Sequence, residues 1–247
     1  ASHCHLPHSY GGYQQSLCSG VTMKRACLIL FFLVLSAGLF LWGQQKTPLH
    51  PTLPTITFDR VWEAYKPQDI NITVQSTGSA KYLSRNPFTP PDPGADPDYT
   101  LDFTISTRNQ EKLFRDAREA NYFNGDFSFK KHPVASTGKK TLTYGDPDRY
   151  FETTYDYSEN RAIEEITNIL TGISNTIEHG RKLAFLHRFD KLGLEDELKG
   201  MEDAAASHKL AELQIIQPTL ESIAGNASVL NIARQRAKRL LAKAKSE

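Results

Sequence analysis

Two histidines, His179 and His187, stand among acids, bases and leucines in "SNTIEHGRKLAFLHRFDKLG", residues 174–193. They are the first residues of this chain to test for chemistry. A helical zinc pair needs a separation of three or four residues, as in H-E-x-x-H, which brings both rings to one turn. These two are eight apart. At about 100° per residue they point roughly 80° apart and lie about 12 Å apart along the axis. We read His187 as the polar end of an apolar stripe and His179 as a residue on its flank. His132 and His208 are isolated. His3, Cys4, His5, His8 and Cys18 form a C-x-H…H…C spacing that matches no common zinc pattern. Asp92, Asp96 and Asp98 crowd "DPGADPD", but its prolines and the missing distal glutamate break the calcium-loop pattern. Thr153, Thr154, Asp156 and Ser158 include nucleophile types on a strand read as exposed. No G-x-S-x-G, S-x-x-K or ordered Ser/His/Asp set accompanies them, and no glycine-rich phosphate loop occurs. No catalytic, cofactor-binding or metal-ligating residue is assigned. Asn71-Ile72-Thr73 and Asn226-Ala227-Ser228 fit the glycosylation pattern, to which no function is attached.

The charge balance narrows the partners. The 247 residues carry 29 Lys and Arg against 28 Asp and Glu, which argues against a general nucleic-acid binder, since that class shows a basic excess. A hydrophobic content of 39% fits a folded chain. The three cysteines, Cys4, Cys18 and Cys27, all lie in the first 27 residues. Nothing after them forms a disulfide, so the folded part depends on its core.

Met23-Lys24-Arg25 precedes seventeen residues without a charge, "ACLILFFLVLSAGLFLW" at 26–42. A basic pair before an apolar run is the pattern of a secretory signal. The alternative is an uncleaved anchor, although a membrane span takes about 20 residues. The chain is therefore expected to be exported, to the periplasm or beyond, or held at the inner membrane by 26–42. Residues 1–22 are read as an over-extended start, 23–43 as the signal or anchor, and 44–55 as a proline-containing spacer.

Elements follow from periodicity. "TITFDRVWEAY" is a strand or a short amphipathic piece. Ile70, Ile72 and Val74 alternate with Asn71, Thr73 and Gln75, and "AKYLS" returns after Thr77-Gly78-Ser79. Residues 86–98 hold five prolines and form a loop. Tyr99, Leu101, Phe103 and Ile105 share one strand face. The period then changes, and Leu113, Phe114, Ala117, Ala120 and Phe123 mark a helix. Ser106 or Thr107 caps it, Gln110 stands in a capping-box position relative to Thr107, and Asn124-Gly125 ends it. Residues 139–158 form two strands around Gly-Asp-Pro-Asp, with Phe151, Thr153, Tyr155 and Tyr157 on one face. Ser158 caps a long helix, where Arg161 can pair with Glu165. Its stripe is Ile163, Ile166, Leu170, Ile173, Ile177, Gly180, Ala184 and His187. Further helices are expected at about 194–206, 208–224 (interrupted at Pro218) and 228–245.

The order strand–turn–strand, strand–helix with an aromatic end, strand–strand, long helix resembles a family of uncharacterised secreted bacterial α+β domains about a hundred residues long. "ITVQSTGSAKYL", "LFRDAREANYF", "TLTY" and "TTYDYSENRAIEEITNILTGI" carry the resemblance, over about residues 70–175. The chain departs from it by the proline-rich insertion 86–98 and by the helices after His187. The family has no established activity, so the resemblance implies a fold and a compartment but no site residues.

The expected fold is α+β: a small, mostly antiparallel sheet with the helices at 108–123 and 159–188 packed on one face, over residues 56–188. A helical carboxyl-terminal extension, 189–247, follows. The expected function is non-catalytic binding or structural contact in the cell envelope of a bacterium. One alternative is a hydrolase whose site is assembled from distant residues. A second is membrane-surface association through the basic helix 228–245, where Arg234, Arg236, Lys238, Arg239, Lys243 and Lys245 face one acid, Glu247, over residues 231–247. Against it, the alanine-rich stripe of that helix suits docking on the preceding helices.

Overall fold

The computed structural model describes residues 50–86 and 98–245. The readings made for residues 1–22, for the signal or anchor 23–43, for the first half of the spacer 44–55 and for the proline-rich loop with Asp92 and Asp96 lie outside the described residues.

Six strands form one sheet: β1 (Thr55–Val61), β2 (Asp69–Gln75), β3 (Ser79–Arg85), β4 (Tyr99–Thr104), β5 (Lys139–Gly145) and β6 (Tyr150–Tyr155). Their spatial order is β4-β3-β2-β1-β5-β6, and every pairing is antiparallel. Among the described residues five α-helices accompany them: α1 (Thr107–Glu119), α2 (Arg161–Phe189), α3 (Leu194–Ala206), α4 (Gln217–Gly225) and α5 (Asn231–Ala244). The chain is α+β. "TITFDRV" is a strand because its alternation sorts Ile56, Phe58 and Arg60 to the buried side and Thr55, Thr57 and Asp59 to the other. Gly78, at φ +85, makes the tight turn between β2 and β3, a backbone shape that glycine adopts at little cost.

The buried side chains fall into two clusters. One joins β1, β2, β3, β5 and β6 to Leu113, Ala117 and Phe123, and to Ile163, Ile166, Leu170, Ile173 and Ile177 of α2. The other gathers Leu183 and Leu186 of α2 with α3, α4 and α5. The helix stripe holds as far as Ile177 and Gly180. Beyond it Ala184 is exposed, contrary to expectation, and Leu183 and Leu186 are buried instead. The reason is a change of neighbour: α2 leaves the sheet-side cluster and turns a different side to the helices that follow. A Cβ on Gly180 would stand 2.3 Å from Cγ2 of Ile216, so the glycine marks a close approach.

Several helix ends differ from expectation. Ser106 caps α1, its hydroxyl accepting from the backbone N–H of Asn109 at 3.3 Å. The Thr107–Gln110 capping box does not form, because Gln110 donates instead to the carbonyl of Ser76. The helix stops at Glu119, before Asn124-Gly125. Asn121, Tyr122 and Phe123 then take φ of 48°, 55° and 69°. Left-handed backbone costs roughly 1–2 kcal/mol per non-glycine residue. Here the turn drives Phe123 into the core, where it is fully buried. Asn160, not Ser158, caps α2, and the Ser158 hydroxyl accepts from the N–H of Asn160 at 3.2 Å. Glu165 pairs with Lys112 of α1 rather than with Arg161. The helix expected at 208–224 is a 3₁₀ turn, Leu213–Ile216, followed by α4. Pro218 lies in the first turn of α4 and begins the helix rather than interrupting it, since that position needs no backbone N–H.

Candidate functional site

The residues singled out in sequence are scattered. His132 is exposed against the ring of Phe129, and His208 is exposed in a left-handed turn after α3. His187 is half-buried, its Nε2 2.8 Å from the side-chain amide of Asn226. His179 has a partner that the linear spacing does not reveal: its Nδ1 lies 2.6 Å from Oε1 of Glu197 on α3. Thr153 is not exposed but buried on the helix-facing side of β6, whereas Thr154 points the other way. Asp156 is tied up by Thr137, whose N–H and hydroxyl donate to its carboxylate at 2.8 and 3.0 Å. Ser158 is buried, and Asp98 is exposed at the start of β4. Among the described residues, no group of three or more His, Cys, Asp or Glu side chains gathers as a metal site would require.

The basic carboxyl-terminal helix is docked. Ala233, Ala237 and Leu240 of α5 are buried. Arg236 pairs with Glu195 and Glu202 of α3, Arg239 pairs with Glu202, and Lys243 donates to the carbonyl of Ala205. The described part of the chain has no helix long and apolar enough to cross a membrane.

What the fold does assemble is a polar surface on the side of the sheet away from the helices. Strand register aligns its side chains in rows. One row runs Asp102, Lys81, Thr73, Thr57, Thr143 and Glu152 across all six strands. The next runs Thr100, Leu83, Asn71, Asp59, Thr141 and Thr154. Neighbours within and between rows are hydrogen-bonded. Asn71 donates its amide to Asp59 at 2.7 Å, the hydroxyls of Thr141 and Thr154 are 3.0 Å apart, and Thr143 donates to Glu152 at 3.4 Å. Such bonds fix the rotamers, so the face presents an ordered array of oxygens rather than a brush of free side chains.

A hollow of about 210 Å³ opens on this face over β1 and β5. Its floor is Thr55, Thr57 and Thr143, with Asp59, Glu152 and the Tyr150 ring at its sides. Gly145 belongs to the same hollow because Pro51 closes over it. A Cβ there would meet the proline ring at 2.8 Å. The Asp59 carboxyl is pushed above its usual range, first by burial and then by the nearby carboxylates of Asp69 and Glu152, against the lowering bond from Asn71. The Asp59 carboxyl in this hollow therefore keeps its proton to a higher pH than an exposed aspartate does.

The alternation that makes these rows was legible in β2, β4 and β6, while β1 was left open between a strand and a short amphipathic piece. Their alignment was not, because register across strands is a tertiary property. No family model matches the chain, and no curated protein matches it.

Proposed function

We propose that this chain is an exported domain of a bacterial cell envelope that works by contact rather than catalysis, with the polar sheet face as its contact surface. The register-aligned rows of threonine, asparagine and carboxylate side chains carry this reading. In it, α1 and α2 back the sheet on one side, and the helical extension braces α2. The Thr-lined side is then left to meet an envelope component. Hydroxyls that both donate and accept, beside carboxylates that only accept, suit a hydroxyl-rich or amide-rich partner. The charge-free run at 26–42 supports export, and the resemblance over residues 70–175 to secreted α+β domains points the same way.

The test is co-sedimentation of the purified protein with washed envelope fractions. Replacing Thr57 and Thr143 with lysine should abolish retention while leaving the melting temperature within a few degrees, since both side chains are only partly buried. A matched change on the helical side, Arg115→Ala and Arg118→Ala, should leave retention intact. Equal retention of both variants would overturn the reading.

A further inference from the structure

Arg60 of β1 lies on the helix-covered side of the sheet and is 4% exposed, and among the described residues its Nε and Nη2 are buried without a hydrogen-bond partner. These two nitrogens share one edge of the guanidinium. Their N–H bonds run parallel there, in the geometry that meets two oxygens of a carboxylate or phosphate.

Among the described residues, the surroundings do not supply those oxygens. Across the sheet Arg60 pairs in register with Ile70 and Lys140. Lys140 is 7% exposed, and its ammonium is already satisfied by the carbonyls of Thr137, Gly138 and Asp156 and by the Thr137 hydroxyl. The carboxylate of Asp156 stands 3.9 Å from that ammonium. Glu178, the carboxylate that acts on Arg60, accepts from the Tyr82 hydroxyl at 2.7 Å and from Arg181 at 2.9 Å. Three cations, Arg60, Lys140 and Arg181, thus share two carboxylates. Burial, and then the charge of Arg60, hold the Lys140 ammonium below the usual lysine range, against the pull of Asp156.

The cover over Arg60 includes an exposed piece of chain. Tyr65, 41% exposed in the β1–β2 loop, lays its ring 4.9 Å from the guanidinium carbon and stacks on Trp62 at 5.2 Å. A buried fork with two open donors is costly unless something fills it.

We propose that Arg60 anchors a small oxyanion, a carboxylate or a phosphate, on its Nε–Nη2 edge, admitted past the Trp62–Tyr65 loop. The charge count asks for a single negative charge. The aromatic pair gives the anion a partly apolar flank.

Thermal melts of the full chain test this directly, with sodium phosphate and sodium acetate as separate arms against sodium chloride at equal ionic strength. The expected result is a saturable rise in melting temperature in one arm, which identifies the source of the oxyanion. Arg60→Met should abolish that rise and should melt higher than the wild type in chloride, because an apolar side chain replaces an unpaired charge. Arg60→Lys keeps the charge but loses the fork, so the midpoint of the anion effect should move to roughly tenfold higher concentration. If Arg60→Met does not fold, the lysine variant and the wild-type titration still decide. No difference between either anion and chloride in the wild type overturns the proposal. So does a rise that persists undiminished in an Arg60 variant.

Discussion

Glu197 is the residue that changes the meaning of His179. It is buried yet sits on a helix that sequence places eighteen residues further on, so no spacing rule within α2 could find it. Burial alone would raise its pKa. His179 at 2.6 Å and Lys182 at 2.5 Å, one on each oxygen, hold it below the usual glutamate range. From the stripe alone, His179→Ala should cost little. With Glu197 in place it leaves a buried carboxylate oxygen without its donor, and the expected loss is about 1–3 kcal/mol. Urea melts of the variant check this. The pH dependence has a definite sign. A glutamate whose folded pKa is depressed adds stability that is complete above its unfolded value, near 4.5, and that fades as pH falls through the lowered folded value. The stability gap between wild type and Glu197→Gln should therefore shrink as pH falls below about 4.5. A gap that stays constant over that window would show that the pair is not what ionises. Ile173 and Ile177 were legible as core, and both are fully or almost fully buried. Replacing either with alanine should cost about 2–5 kcal/mol.

At the scale of elements, α1 and the carboxyl-terminal helices prove to be stitched together by one side chain. Glu212 takes a left-handed φ of 59° just before the 3₁₀ turn and is 1% exposed. Its carboxylate accepts from the backbone N–H and hydroxyl of Ser106 at 2.8 and 2.7 Å, from Asn109, and from Gln214. Ser106 was readable as a cap, but its own partner lies 106 residues away. An acid at a helix N-terminus also meets the positive end of the helix dipole. Glu212→Ala should destabilise by about 2–4 kcal/mol, combining a lost cap with lost buried hydrogen bonds. Glu212→Gln should cost less, and chemical denaturation of the pair measures the difference. Gly180 gives a second test. Alanine is the better helix former by roughly 1 kcal/mol, yet the added Cβ collides with Ile216. The net effect of Gly180→Ala should be destabilising, by about 1–3 kcal/mol as for other overpacked sites. A stabilised variant would mean that α2 and the 3₁₀ turn at Leu213–Ile216 part freely at that point.

For the molecule as a whole, five of the six described strands were legible as strands and β1 only as one of two options, and which strands are neighbours was not legible. Alternation tells each strand which side is buried. It does not say that β5 comes back beside β1, because α1 and the long connection after it carry the chain from one side of the sheet to the other. The order places β4 and β6 at the edges and β1 and β2 inside. Amide exchange should follow that order, with β1 slowest and Tyr99–Thr104 of β4 among the fastest strand amides. Mass-resolved exchange of peptides from each strand checks it, and equal protection of β1 and β4 would contradict the order. Export is testable separately. Residues 23–60 fused to a reporter active only outside the cytoplasm should give signal, and a stable but silent fusion would count against the targeting reading. The strand order also bears on how the chain is made. Among the described strands β1 is the first to be synthesised, yet one of its two flanks is reserved for β5, which is made roughly eighty to ninety residues later. Until then the four strands β1 to β4 can pair as a meander, but the β1 flank keeps a row of unmet N–H and C=O groups beside Ile56 and Phe58. That flank is a temporary template for strand addition from a neighbouring chain. The hazard is greatest while synthesis is incomplete, and it ends only when the β5–β6 hairpin docks.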